Sequence, residues 1–208
     1  MKLYDLALSG HAHRARLTAS LLGLDVQLIP VDLLAGVHKQ ADYLAINPFG
    51  QVPALEDGDV TLHDSNAIAV YLASRYDSER TWLPLDPATA AQVQIWLSKA
   101  ANELANGPAV ARLVTVFNAP IDHKAVTAKA HALLAVMNDH LQGRDWFVGD
   151  APTLADIALY SYTAHAPEGG VDLTRYSNVV RWLQRFEALP GFVAMPATDT
   201  SAKAALAA

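Results

Sequence analysis

The stretch KLYDLALSGHAHRARLTASLLGLDVQLIPV, residues 2–31, reads as strand, helix and strand in one unbroken run. Lys2–Leu6 alternates apolar and polar side chains, the pattern of a short strand. His11–Leu22 follows as a helix whose apolar faces carry Ala15, Leu17, Ala19, Leu21 and Leu22, and Gly23 stands where a helix ends. Val26–Val31 is apolar and rich in β-branched residues, hence a second strand. Two strands joined by a helix within so short a span predict a parallel βαβ unit.

Working outward, Leu33–Gln40 is a loop containing Gly36, and Ala41–Ile46 a helical turn stopped by Asn47-Pro48. Val52–Glu56 and Val60–His63 are two further strands around the hairpin signal Asp57-Gly58. Ser65–Tyr76 is a helix with Ile68, Ala69, Leu72 and Ala73 on one face. Residues 1–77 thus form a βαβ-ββα domain, and residues 78–86 a linker rich in turn formers. From residue 87 to 208 the pattern is all-helical. Asp86 caps a helix that begins with Pro87. Val93, Trp96, Leu97, Ala100 and Leu104 recur at helical spacing, as do Val126, Ala130, Leu133, Leu134, Met137 and Leu141. Further helices are expected over Leu154–Ala164 and Asn178–Ala188, and the Ala-rich tail Ser201–Ala208 is expected to be loosely held. The fold class is α/β followed by all-α.

Bulk properties narrow the function. The 208 residues are 52% hydrophobic and carry a net charge of -6, with Lys and Arg scattered, which argues against nucleic-acid binding. No apolar run approaches the ~20 residues of a membrane helix, and no signal-peptide apolar core follows Lys2, so a cytoplasmic protein is expected. Cysteine is absent, so any sulfur chemistry must use a sulfur brought by a ligand. His11, His13, His123, His131 and His140 lack the spacing of a ligand set, and no metal is expected.

Four short elements carry the candidate chemistry. In Leu8-Ser9-Gly10-His11-Ala12-His13-Arg14 a strand feeds a helix, placing the Ser9 hydroxyl among the N–H groups of a helix start. Such a place favours an anion and would lower the pKa of a bound thiol, although this loop by itself favours a plain helix cap at Ser9. In Asn47-Pro48-Phe49-Gly50-Gln51-Val52-Pro53, a cis Val52-Pro53 bond would expose the Val52 backbone to an extended peptide, and an ordinary turn before a strand is the alternative. Asp64 and Ser65 stand where a strand gives way to a helix, suited to a ligand ammonium and a ligand carboxylate, or simply to capping. Thr153 and Asp156 form a capping box, which is structural.

In this order and spacing, SGHAHRAR, INPFGQVPAL, LHDSNAIAVYLA and FVGDAPTLADIAL together resemble the glutathione S-transferase superfamily over nearly the whole chain. The resemblance implies a thioredoxin-like first domain, a helical second domain, a homodimer, and glutathione as co-substrate. Ser9 matches the serine that activates glutathione in serine-type classes. Val52 matches the residue pairing with the cysteinyl unit and Pro53 the proline after it, and Asp64 stands where Glu or Gln is usual, beside Ser65. His38, Lys39 and Gln51 fall where relatives hold the glycyl end, and Asn102, Glu103 or Asn106 where the partner subunit contributes a polar group. Leu8, His11, Arg112 and Val116 are candidates for the electrophile pocket. The loop spacing from Ser9 to Arg14 is zeta- or theta-like, but Gly10 and His11 replace the zeta serine-cysteine pair. The implied activity is a transferase. A non-catalytic scaffold, a glutathione-dependent peroxidase or disulfide reductase, and a cis-trans isomerase are the alternatives.

Overall fold

The computed structural model describes residues 1–198, so the tail Ser201–Ala208 lies outside the described residues. Internal packing divides the described residues into two units, Met1–Leu83 with Leu189–Pro196, and Pro84–Ala188 with Ala197 and Thr198.

The first unit contains β1 (Lys2–Asp5), α1 (Gly10–Leu21), β2 (Gln27–Pro30), α2 (Ala41–Ile46), β3 (Ala54–Asp57), β4 (Val60–His63) and α3 (Ser65–Tyr76). The strands form one mixed sheet in the order β2-β1-β3-β4. β1 pairs parallel with β2, as the βαβ reading requires, and antiparallel with β3, placing Leu3 opposite Leu55. Leu3 and Leu55 pack with Ala15 and Ala19 of α1 and with Ile68 and Leu72 of α3. The next residue of β1, Tyr4, points to the other face, as strand alternation dictates. There it meets Tyr43 of α2 edge-on, with ring centroids 5.9 Å apart. One face of the sheet is therefore covered by α1 and α3, the other by α2.

Several element ends shift by a residue from the sequence reading, and two differences have a clear physical reason. β3 begins at Ala54, past Val52-Pro53, because proline brings no N–H to a ladder. The hairpin loop is Gly58-Asp59, since Asp57 still pairs with Val60. Gly58 takes φ +60° while Asp59 does not enter positive φ, the geometry of a II′ turn, whose first position favours glycine.

Leu189–Pro196 returns to α1. The Ser20 hydroxyl donates to Gly191 O at 2.7 Å, and the buried His13 ring places Nε2 2.8 Å from Val193 O.

The second unit is helical. α4 (Pro87–Lys99), capped by Asp86 with Pro87 in its first turn, runs into a π-helical segment, Ala100–Ala109, and then into α5 (Val110–Phe117). Pro108 lies inside the widened segment, where a regular α turn would set its ring against the carbonyl four residues back. α6 (His123–His140), α7 (Leu154–Ala164) and α8 (Ser177–Glu187) complete it. The core is aromatic: Phe147 meets Trp96 at 4.6 Å and Trp182 at 4.9 Å between ring centroids, both edge-on. At its centre lies Asp156, fully buried. Thr153 and Asp156 form the expected capping box at the start of α7. The Asp156 carboxylate also accepts from Phe147 N at 3.2 Å and Trp182 Nε1 at 2.9 Å.

Candidate active site

Ser9 is the N-cap of α1: its Oγ accepts from Ala12 N at 3.3 Å. The capping bond uses an oxygen lone pair, so the Ser9 O–H can still donate. Capping and thiol contact are thus compatible roles for one hydroxyl.

Asp64 is the N-cap of α3, with Oδ1 accepting from Asn66 N at 2.8 Å and Ala67 N at 3.0 Å. It holds φ 72° and ψ 124°, a conformation unfavourable for a residue with a side chain and one that tends to occur at functional sites. Ser65, the first residue of α3, is buried. Its Oγ accepts from Arg14 Nη1 at 2.7 Å and lies 3.4 Å from His11 Nδ1.

His11 Nδ1 is also 3.4 Å from Arg14 Nη1. A guanidinium only donates, so this contact requires the lone pair on Nδ1 and puts the ring proton on Nε2. Burial first, and the Arg14 charge second, push the His11 pKa down to about 4, with Asp64 opposing. His11 is therefore a neutral imidazole at physiological pH. The starts of α1 and α3 meet through these side chains, forming one region rich in N–H groups and positive charge.

A third part of the site is the turn before β3. Tyr43 OH and Asn47 Nδ2 both donate to Gln51 O at 2.7 Å, and Phe49 N donates to Asn47 Oδ1 at 3.1 Å. These bonds brace the backbone that leads into Val52-Pro53, whose peptide bond is cis. Gly50 has φ +58°, and a Cβ there would fall 2.8 Å from His38 O and 3.1 Å from Lys39 Nζ. The structure thus packs the 3-10 turn Val37–Lys39 directly against Gly50. His38 Nδ1 is buried without a hydrogen-bond partner among the described residues.

Other candidate positions lie in the second unit. Arg112 is buried, and its Nε donates to Glu168 Oε2 at 2.6 Å. The other Glu168 oxygen takes Thr198 N at 3.0 Å and lies 2.7 Å from His165 Nδ1. The Arg112 charge is thus engaged in the internal bonding of the helical unit. Val116 is half-buried on the same helix, whereas Leu8 and His11 belong to the first unit. Asn102, Glu103 and Asn106 lie on the π-helical segment: Lys99 pairs with Glu103 at 2.6 Å, and Asn106 Nδ2 donates to Asn102 Oδ1 at 2.9 Å. Among the described residues no group of three His, Cys, Asp or Glu side chains could hold a metal ion.

Sequence reasoning assigned no role to Arg14, Tyr43 or Asn47. Arg14 stands on α1 among Ala12, Ala15 and Leu17, which the fold buries, and no local signal marks its charge.

Comparison with known proteins agrees with this geometry. The family model for the glutathione S-transferase N-terminal domain matches residues 1–74, and that for the C-terminal domain matches residues 99–190. Glutathione S-transferase 3 of Zea mays is 36% identical over 202 residues, covering 92% of this chain and 91% of the relative. A glutathione S-transferase structure from Pseudomonas fluorescens superposes with a TM-score of 0.88 at 34% identity, covering 93% of this chain and 98% of that one. A glutathione transferase homologue from Drosophila mojavensis, solved with bound glutathione, superposes with a TM-score of 0.83 at 26% identity, covering 91% of this chain and 88% of that one. The sheet and helix order, the joined starts of α1 and α3, and both family matches lead to one conclusion: the chain belongs to the glutathione S-transferase family.

Proposed function

We propose that this protein is a glutathione transferase in which Ser9 stabilises the glutathione thiolate. The observation that carries the reading is the joining of two helix starts, Ser9 on α1 and Asp64-Ser65 on α3, through Arg14 and His11. Glutathione has a thiol, an ammonium and two carboxylates, and the first unit offers a complement for each. In this reading the γ-glutamyl carboxylate meets the N–H and O–H of Ser65, and the ammonium meets Asp64. The cysteinyl backbone pairs with Val52, and the glycyl carboxylate lies toward His38, Lys39 and Gln51. The buried, unpartnered Nδ1 of His38 supports the last assignment.

The reaction follows from charge. The bound thiol releases its proton to solvent, the thiolate sulfur forms a bond to an electrophilic carbon, and the leaving group departs with the displaced electron pair. Because the protein has no cysteine, the attacking sulfur is the ligand's own. The proposed assembly is a cytoplasmic homodimer in which Asn102, Glu103 or Asn106 reaches the partner subunit's site. A substrate panel with an aryl halide, a hydroperoxide, a disulfide and a cis-enone acid tests the activity. Turnover of the aryl halide supports a transferase; turnover of none of the four would favour a scaffold.

Glutathione should stabilise the fold by about 2.7 kcal/mol at 100 times its dissociation constant. Differential scanning fluorimetry with millimolar glutathione checks this, and an unmoved midpoint together with no heat on titration refutes the binding reading.

Asp64 has two duties that different substitutions separate. Asp64→Ala removes both caps and the carboxylate, so stability should fall by about 0.5–2 kcal/mol and glutathione binding by about 1.5–3 kcal/mol. Asp64→Asn keeps an oxygen for Asn66 N and Ala67 N and tolerates positive φ, so it should spare the fold and weaken glutathione alone. Calorimetric affinity equal to the parent's in Asp64→Asn would remove Asp64 from the ligand site.

A further inference from the structure

We propose that Arg14, sealed behind Ser65, is a positioning residue for the γ-glutamyl carboxylate: it claims the Ser65 oxygen as acceptor, leaves the Ser65 O–H to donate to the ligand, and lends its positive charge to the start of α3. This inference rests on the reading of that helix start as the γ-glutamyl site.

The geometry is specific. Arg14 is 1% exposed and Ser65 2% exposed, so the guanidinium itself is sealed from solvent. Its Nη1 lies 2.7 Å from Ser65 Oγ, across 51 residues of sequence. A guanidinium carries only hydrogens, so Ser65 Oγ must accept in this contact. A serine hydroxyl has a single hydrogen, which is then available to another acceptor. In a serine without such a partner the hydroxyl rotates freely and can present either a lone pair or its hydrogen. Here the buried cation biases it toward donation.

His11 reinforces the arrangement. Its Nδ1 lies 3.4 Å from both Arg14 Nη1 and Ser65 Oγ; because Nδ1 carries a lone pair, the Ser65 hydrogen turns toward it without ligand and leaves this long contact for the stronger carboxylate acceptor when glutathione binds. The Arg14 charge acts against protonation of that ring while Asp64 acts in its favour, as expected of a cation and an anion flanking one site. Asp64, the N-cap of α3, and Arg14, bonded to its first residue, bring opposite charges to the α3 start, matching the ammonium and carboxylate that share one carbon in the γ-glutamyl unit. Burial keeps the Arg14 contribution from being screened by salt.

The test uses glutathione and two truncated analogues. 4-Aminobutyryl-cysteinyl-glycine lacks the γ-glutamyl carboxylate and keeps the amine. Glutaryl-cysteinyl-glycine lacks the amine and keeps the carboxylate. The parent should prefer glutathione over both. In Arg14→Gln the preference over the aminobutyryl analogue should fall at least tenfold, while the preference over the glutaryl analogue persists. Arg14→Lys, which retains a cation, should recover part of the lost preference. Adding Arg14→Gln to Ser65→Ala should change the preference less than Arg14→Gln changes it in the parent, because the shared contact is already gone and only the charge remains to be lost.

If Arg14→Gln weakens all three ligands by the same factor, the role is structural and the proposal is overturned. Should Arg14→Gln fail to fold, Ser65→Ala alone decides, since Ser65 is the outlet of the proposed effect: an unchanged carboxylate preference there overturns it. A parent that binds none of the three, or all three equally, overturns the glutathione-site reading and this proposal with it.

Discussion

Asp156→Ala is expected to lower the unfolding free energy by about 3–5 kcal/mol. The capping box by itself would account for about 0.5–2 kcal/mol, but Asp156 does more than cap. Its two oxygens accept from Thr153 N at 2.9 Å, Thr153 Oγ1 at 3.3 Å, Phe147 N at 3.2 Å and Trp182 Nε1 at 2.9 Å, all at a fully buried position. Alanine leaves the Thr153, Phe147 and Trp182 N–H groups in the core without an acceptor, at roughly 1–3 kcal/mol for each one unsatisfied. Loss of the buried carboxylate's own desolvation cost offsets part of this. Urea denaturation checks the figure, and a loss under 1 kcal/mol would mean that water or a rearranged core replaces the carboxylate. Turnover per folded molecule should survive, because no ligand role is proposed for Asp156.

The pH dependence adds a signature. Burial raises the Asp156 pKa from 3.8 to about 6, against the four hydrogen bonds that favour the anion. A carboxyl whose folded pKa is raised contributes most below its unfolded pKa and loses that contribution as pH climbs through the folded value. Asp156→Asn cannot titrate, and its amide sets donors against donors. Its stability deficit relative to the parent should therefore be largest near pH 4 and shrink toward pH 7. A deficit that grows over that range would contradict the sign.

Ser9→Ala is expected to raise the pKa of bound glutathione by about one unit or more, since a hydrogen bond to a charged acceptor is worth about 1.5–3 kcal/mol. Turnover at neutral pH should fall roughly tenfold or more and recover partly at high pH, where the thiol ionises unaided. The same substitution deletes the cap to Ala12 N, so the fold should also lose about 0.5–2 kcal/mol. Glutathione affinity should fall only modestly, because the Val52 edge and the Asp64-Ser65 start remain. Thiolate absorbance against pH, measured beside the rate, separates the two duties. Coincident titration curves with a lowered denaturation midpoint would leave Ser9 as a cap alone, and thiol activation would pass to the backbone N–H groups around Gly10–Ala12.

Sequence by itself determined those features whose causes are local. The βαβ order of residues 2–31, α3 over Ser65–Tyr76, the Asp86-Pro87 helix start and the Thr153–Asp156 box all depend on side-chain periodicity or on bonds spanning three or four residues. The capping oxygens of Ser9 and Asp64 were legible for the same reason.

Tertiary structure alone decided the rest. Nothing near Arg14 announces that its charge will be buried against Ser65, nor does anything near His13 point to Val193, 180 residues away. The two extra donors to Asp156 come from Phe147 and Trp182, which only core packing brings to it. Gly50 reads as a turn residue, and only the fold shows that a side chain there would strike His38 O. The division has a physical reason. A helix or a turn is specified by hydrogen bonds between near neighbours, whereas the protonation and partner of a polar side chain depend on what packs against it from elsewhere in the chain.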